Sequence, residues 1–391
     1  MQNVLQVFYS NRVERLYLTL KEQLFSSATS PFTKRFVIVP SPAMKAWLMT
    51  RLADDPEIGI AAGIAVSYLE PTVYEIIETM SAHPESFPKY HSNLELALCI
   101  EAEIRRVLAV FPSMAREEKD VWSPLFDYLQ CATTSSRKSE RRLIALSDKL
   151  AGLFQEYGKF GTKMLRHWKN SSEGGWQAAL WRKLVGEIGP EHIEWQSSNA
   201  AVHLFSMSFL SRQQHQLLVG LSETIPVHYY LLSPCQVFWS DILSDREGRK
   251  LQENWEKQGI SDSREFFLEE YLYDRNPLLA NFGRLGREMT VQIEESGAIT
   301  DEDYELPGNP SSILEAVQTD ILLLRNPDPE KRIDLPNNGA IQVHVAGNRM
   351  REVQILYDTI LGIIEKHAEE ENPILPEDFI VMAPDIMDYD P

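Results

Sequence analysis

The chain has 391 residues, room for about two or three domains and a large core, and its 57 acidic against 38 basic side chains leave a formal net charge of −19. With 43% apolar and 10% aromatic residues it can bury a core, which excludes wholesale disorder, and the acidic surplus excludes a basic coat for nucleic acid or an anionic membrane. Cys99, Cys131 and Cys235 are too far apart for a CxxC metal pair, the apolar run 58–66 is too short to span a bilayer, and residues 1–12 lack the order of a secretory signal. These features point to a cytosolic, soluble, multidomain protein.

The first 80 residues alternate strand and helix patterns. A β-rich run over 4–9 precedes a helical stretch with Val13, Leu16, Leu20 and Leu24 on one face, which Asn11 is placed to cap. Residues 36–39 read as a strand buried on both faces, and Pro42 then opens a helix whose stripe is Met44, Trp47, Leu48 and Leu52. Short links between such elements are the mark of βαβ units. From 93 to 188 the strands give way to four helical patterns, at 94–110, 121–129, 139–157 and 176–188. Strand patterns return at 202–205 and 228–232 around a helix over 213–221. The expected layout is an α/β domain made of residues 1–92 and 189–335, with 93–188 inserted as an all-helical domain. Helices are expected over 276–294 and 312–324. Between them lies an acidic, Pro/Gly-punctuated link at 295–310, read as mobile. A further αβ unit begins late, with strands at 341–345 and 379–383 around a helix from 349, so 336–391 reads as the truncated start of a second α/β domain.

A phosphate-binding P-loop needs closely spaced glycines and a GK[ST] ending. After the first strand this chain has Tyr9-Ser10-Asn11-Arg12-Val13, and no GK[ST] occurs anywhere. Where a metal-holding carboxylate would follow the third strand of such a domain stand Ser206-Met207-Ser208. Neither ATP nor magnesium is expected on this chain. There is no HExxH, DxDxDG or GxSxG motif; Asp378 and Asp385 flank a strand pattern but lack a third ligand, and His203 and His228 read as structural neighbours. Charge is segregated instead: residues 135–170 carry nine Lys/Arg against three acids. Phe154, Tyr157, Phe160 and Trp168 are interleaved there, either as stacking faces for single-stranded bases or as the core stripe of a helix whose basic face is wet.

Several stretches in order resemble the N-terminal part of the RecC family, the gamma subunit of the exodeoxyribonuclease V (RecBCD) complex. They are Val7-Phe8-Tyr9-Ser10-Asn11-Arg12; Val39-Pro40-Ser41-Pro42-Ala43-Met44-Lys45-Ala46-Trp47-Leu48 followed by Gly59-Ile60-Ala61-Ala62; Leu146-Ser147 with Leu153-Phe154, Tyr157 and Trp176-Gln177-Ala178; and Pro234-Cys235 with Trp239. Later come Asn276-Pro277-Leu278-Leu279-Ala280 with Gly283 and Leu285-Gly286-Arg287, then Arg351-Glu352-Val353 and Ile380-Val381-Met382.

The resemblance implies a superfamily 1 helicase-like parallel sheet with decayed motor motifs: domain 1A (inactive) over 1–92 and 189–335, helical domain 1B over 93–188, and the start of domain 2A at 336–391. It implies a non-catalytic DNA-handling subunit of an ATP-dependent helicase/exonuclease in double-strand break repair. That subunit would work with RecB-like and RecD-like partners on single-stranded and duplex-end DNA, off any membrane. On this reading Lys45, Arg51, Arg141 and Arg142 touch phosphates, while Trp47, Tyr68 and Tyr74 stack bases or shape a channel; Trp47 fits a core position equally well. Pro40, Pro42 and Ala46, and the polar tract Thr133-Thr134-Ser135-Ser136, depart from the family's best-known members, so readout of the same Chi sequence is not expected. The rival readings are an active AddB-type helicase or nuclease subunit and a structural adaptor.

Overall fold

A computed structural model describes residues 5–25, 34–58, 63–83, 93–130, 136–160, 167–168, 175–185, 193–196, 198–258, 275–326, 335 and 339–389; within these, the side chains of 130, 136–137, 158–160, 185 and 256 are not described. The chain divides into two units, Met1–Leu306 with Asp320–Pro327, and Pro307–Thr319 with Asp328–Pro391.

The first unit is built on a six-stranded parallel sheet. Its strands are β1 (Gln6–Ser10), β2 (Lys34–Ile38), β3 (Ile64–Ser67), β4 (Ala200–Phe205), β5 (Val227–Leu232) and β6 (Ile299–Glu302), in the order β3-β2-β4-β5-β1-β6. A parallel sheet must be covered on both sides, and the alternation of side chains does this. Val7, Phe36, Ile38, Val202, Leu204 and Tyr229 bury against Ile76 and Met80 of α3 (Leu69–Met80), Leu218 and Leu221 of α8 (Arg212–Ser222), and Met289 and Ile293 of α11 (Arg284–Glu295). On the opposite face Val37, Phe205 and Tyr230 meet Leu16, Leu20 and Leu24 of α1 (Val13–Leu24) and Leu48 and Leu52 of α2 (Pro42–Asp54).

Four helices, α4 (Asn93–Val110), α5 (Arg116–Gln130), α6 (Ser136–Phe160) and α7 (Gly175–Val185), share a separate apolar cluster that includes Ile100, Ile104, Leu125, Leu150 and Phe154. Glu103 is buried within α4 and held by Arg106 at 2.8 Å and by Lys183 of α7 at 3.3 Å, which ties two helices together.

Several expectations are corrected. Asn11 does not cap α1: the N-cap is Arg12, without a side-chain bond, and the Asn11 amide is used elsewhere. The link 295–310 contains β6, because the outer edge of β1 offers unpaired backbone groups and Ile299–Glu302 satisfies them. The helix over 276–294 is two helices, α10 (Pro277–Phe282) and α11, broken at Gly283, where the ring of Trp239 packs. Helix α9 (Asp245–Gln258) was not expected; it carries few apolar positions.

In the second unit, α12 (Ile313–Leu322) begins and α13 (Arg349–His367) lies whole. The expected strands 341–345 and 379–383 do not form: Val343 and Val345 are 86% and 91% exposed, Ile380 and Met382 are 87% and 89% exposed. An extended run becomes a strand only when a neighbour takes its backbone bonds, and none does so among the described residues. No described helix is long and apolar enough to cross a membrane.

Candidate nucleic-acid interface

The parallel pairing of β2 and β3, with Ile38 opposite Ser67, makes both chains leave the sheet at its carboxyl edge. Ser41 caps α2 there, its hydroxyl accepting from the Met44 N–H at 3.2 Å, and Pro42 fills the first helical position as its fixed φ favours. Lys45, in the first turn, is half-buried and lies 5.9 Å from the ring centre of Tyr68, the residue before α3. A cation and an aromatic face 23 positions apart in sequence are thus brought together by the register. Tyr74 lies further along α3, half-buried.

Trp47 and Arg51 are one turn apart on α2, with the guanidinium 5.6 Å from the indole centre. The same indole lies nearly parallel to Phe205 at 6.1 Å and receives Tyr17 edge-on at 6.2 Å. Of the two readings of Trp47, the core one describes these contacts: it closes the α1/α2 face, and Arg51 lies across it. The flank beside Arg51 is acidic. A cavity of about 800 Å³ is lined by Glu14, Lys21, Trp47, Asp54, Asp55 and Glu57, among others. Lys21 donates to Asp55 at 2.9 Å and to Glu57 at 2.6 Å, and Tyr17 donates to Asp55 at 2.9 Å. The Lys21 ammonium holds Asp55 below the usual carboxylate range, while burial and then the Asp55 bond push the Tyr17 phenol up to about 12. Arg51 therefore sits among carboxylates rather than in a basic groove.

On α6 the structure separates the two neighbouring arginines. Arg142 donates to the backbone oxygen of Tyr128 at 3.1 Å and covers that tyrosine's ring at 5.7 Å, so it binds the carbonyl end of α5. Arg141 is exposed, as are Lys138 and Lys149. Of the interleaved aromatics, Phe154 and Trp168 are buried, Phe154 meets Trp181 edge-on at 5.3 Å, and Tyr157 meets Trp168 at 5.8 Å, while the Phe160 side chain is outside those described. Phe154, Tyr157 and Trp168 are spent on the four-helix cluster rather than presented as a stacking platform. Lys163, Arg166, Lys169, the 59–62 run and most of the 133–136 tract lie outside the described residues.

The position where a P-loop would wrap phosphate is filled by the chain itself. The Asn11 amide donates to the Glu305 oxygen and accepts from the Glu305 N–H, both at 2.9 Å. Arg12 reaches the Glu305 carboxylate at 3.3 Å, and Arg15 reaches Asp303 at 2.5 Å. This contact escaped sequence reading, because the acids near 303 read as a solvated link. At the end of β4, Ser206 takes a left-handed backbone (φ 57°) and donates its N–H to Tyr230 at 2.8 Å. Asp378 and Asp385 each accept from a nearby backbone N–H, at Leu375 (2.8 Å) and Met387 (3.0 Å), which spends both on local turns. His203 and His228 are neighbours across β4 and β5, their Nδ1 atoms 3.4 Å apart, and Tyr230 lies 3.1 Å from the same His203 nitrogen.

The stretches most specific to the resemblance prove to be a structural lock. Asn276 caps α10, accepting from Leu278 and Leu279 at 3.1 Å each; Gly283 and Gly286 admit the Trp239 ring; Arg287 holds Glu247 with two bonds of 2.8 Å and also donates to the Ile242 oxygen.

The family model described as RecC, N-terminal domain, matches residues 5–324. Curated relatives carry the name RecBCD enzyme subunit RecC. The protein of Escherichia coli (strain K12) is 27% identical over 448 aligned positions, covering 99% of this chain and 37% of its own length. That of Haemophilus influenzae (Rd) is 24% identical, covering 98% and 38%, and that of Mycobacterium tuberculosis (H37Rv) is 26% identical, covering 99% and 35%. This chain therefore spans little more than a third of the length of these relatives. With the model matched across the whole of the parallel sheet and the helices around it, the chain belongs to the RecC N-terminal domain family.

Proposed function

We propose that this chain is a non-catalytic DNA-handling part of a RecBCD-like enzyme, guiding unwound single-stranded DNA in double-strand break repair in the cytoplasm. RecB-like and RecD-like subunits would be its partners, and the duplex end its point of entry. The observation that carries the reading is the Lys45–Tyr68 pair at the carboxyl edge of β2 and β3, where open α/β sheets bind ligands. A half-exposed ring beside a cation suits a base next to its phosphate. Exposed Arg141 adds a phosphate contact, whereas Arg142 and Trp47 serve packing and Arg51 is opposed by its acidic flank. Tyr74 would shape the channel behind Tyr68. ATP and magnesium would belong to partner subunits, since the β1–α1 turn lacks glycine and has Glu305 across it.

Lys45→Glu combined with Arg141→Glu should weaken binding of a single-stranded oligonucleotide and lower the slope of log affinity against log salt by about 0.7 per lost contact. An unchanged slope would remove both residues from the interface. A purely structural adaptor is the second reading, favoured by the exposed Phe238 and Phe282 (59% and 84%) beside the Trp239 lock. Full-strength assembly with partner subunits together with no oligonucleotide binding at low salt would support it.

A further inference from the structure

The segment after α11 is an acidic band laid across one end of the sheet. Gly297, with φ 68°, makes the turn into β6, whose four residues are all exposed. The backbone alone holds this strand: Ile299 donates to the Leu5 oxygen and Asp303 to the Tyr9 oxygen, both at 2.9 Å. Beyond the ladder the Asn11 amide grips the backbone of Glu305 from both sides. Asp303 and Glu305 are thereby fixed beside Arg12 and Arg15, with Asp301 on the same side of the strand by alternation and Glu302 on the other, near Tyr9. The ion pairs are exposed (side chains 39% to 57%), the class of pair that contributes about 0–1 kcal/mol. Asp301, Asp303 and Glu305, three carboxylates against two guanidiniums, leave this side of the strand net negative, in a place where the chain has two cations to present.

We propose that residues 299–305 form an acidic strap that screens Arg12 and Arg15 from nucleic-acid phosphates. When the strap yields, these arginines extend the phosphate track. The inference rests on the single-strand reading above and adds its regulation. Arg12 and Lys45 both follow a strand at the carboxyl edge, one after β1 and the other after β2. Those strands are three steps apart in the sheet, about 14 Å, a span of two to three nucleotides. A strand bound at Lys45 and Tyr68 that continued along this edge would meet the strap next, and its phosphates would compete with Asp303 and Glu305 for the same guanidiniums.

The test uses the full chain and a single-stranded oligonucleotide longer than ten nucleotides. Asp303→Asn with Glu305→Gln removes the competing charge but keeps the backbone grip of Asn11. This variant should bind about tenfold more tightly at low salt, with a log–log salt slope steeper by about 1.4 for two added phosphate contacts. Arg12→Ala with Arg15→Ala in the same background should cancel the gain. Glu369→Gln with Glu371→Gln, an equal change of net charge on exposed residues remote in sequence, should not reproduce it. Binding by the wild-type chain that the strap variant does not strengthen overturns this inference alone. A gain that survives loss of both arginines, or that the control pair matches, overturns it as well. No binding by either protein overturns both this inference and the single-strand reading.

Discussion

Gly283 shows how much a single missing methyl can decide. A Cβ there would stand 2.5 Å from the Leu279 oxygen and 2.8 Å from the Trp239 ring, so Gly283→Ala should cost about 1–3 kcal/mol and lower the melting temperature. At Gly152, inside α6, a Cβ meets nothing within 4 Å; Gly152→Ala should be neutral or stabilising by up to about 1 kcal/mol, read in the same denaturation experiment. Equal melting points for the two variants would contradict the lock. The histidines make a pH prediction. Burial lowers His203 well below its ordinary pKa, with His228 and Arg35 adding repulsion, and lowers His228 to about 4. A folded pKa below the unfolded value of about 6.5 means the unfolded chain binds more protons between the two. Stability is therefore full above about pH 6.5 and falls as the solution is acidified toward pH 4, and His203→Phe should flatten that fall. Urea denaturation at a series of pH values reads it; a stability independent of pH between 4 and 6.5 would contradict the neutral pair.

At the scale of elements, Arg287 joins α11 to α9 and to the Ile242 carbonyl while almost wholly buried. Arg287→Met takes the cation from Glu247, which keeps its Ser244 bonds and stays partly exposed, and the donor from the Ile242 oxygen, and should cost about 1–3 kcal/mol. Arg287→Lys should recover only part, since an ammonium lacks the planar fork that serves Glu247 through one nitrogen and the Ile242 oxygen through the other. Chemical denaturation separates these outcomes from an equal loss in both variants. Elements whose burial follows a simple period were legible beforehand: β2, α2, β4 and β5 carry their apolar residues where the sheet and its two helical faces need them, and Ser41-Pro42 announces the start of α2. Elements defined by a partner were not. β6 has no buried side chain and exists because β1 has a free edge; α9 has almost no apolar stripe; and residues 341–345, with β-branched Ile341, Val343 and Val345, find no strand partner among the described residues. A sequence states what a segment wants to bury but says little about which backbone will come to meet it.

For the whole molecule, the family and the α/β sheet were readable because ordered motifs survive at low identity, and Asn276, Gly283, Gly286 and Arg287 of those motifs hold the fold. The candidate site was only partly readable for the same reason. Of the seven residues named from sequence, Lys45 and Tyr68 meet as a pair, Tyr74 is half-buried on α3 and Arg141 is exposed to solvent; Trp47 closes a core face, Arg142 binds the end of α5, and Arg51 lies beside carboxylates. Side-chain chemistry named residues on α2 and α6, but which face of each helix was already spent could be known only from the packing. The most direct test of the account is amide hydrogen exchange on the full chain with and without a saturating single-stranded oligonucleotide. The account predicts slowed exchange at residues 41–48 and 66–72 and in the first half of α6, with the Trp239 lock unchanged; protection confined to the lock, or absent from both α2 and α3, would contradict it.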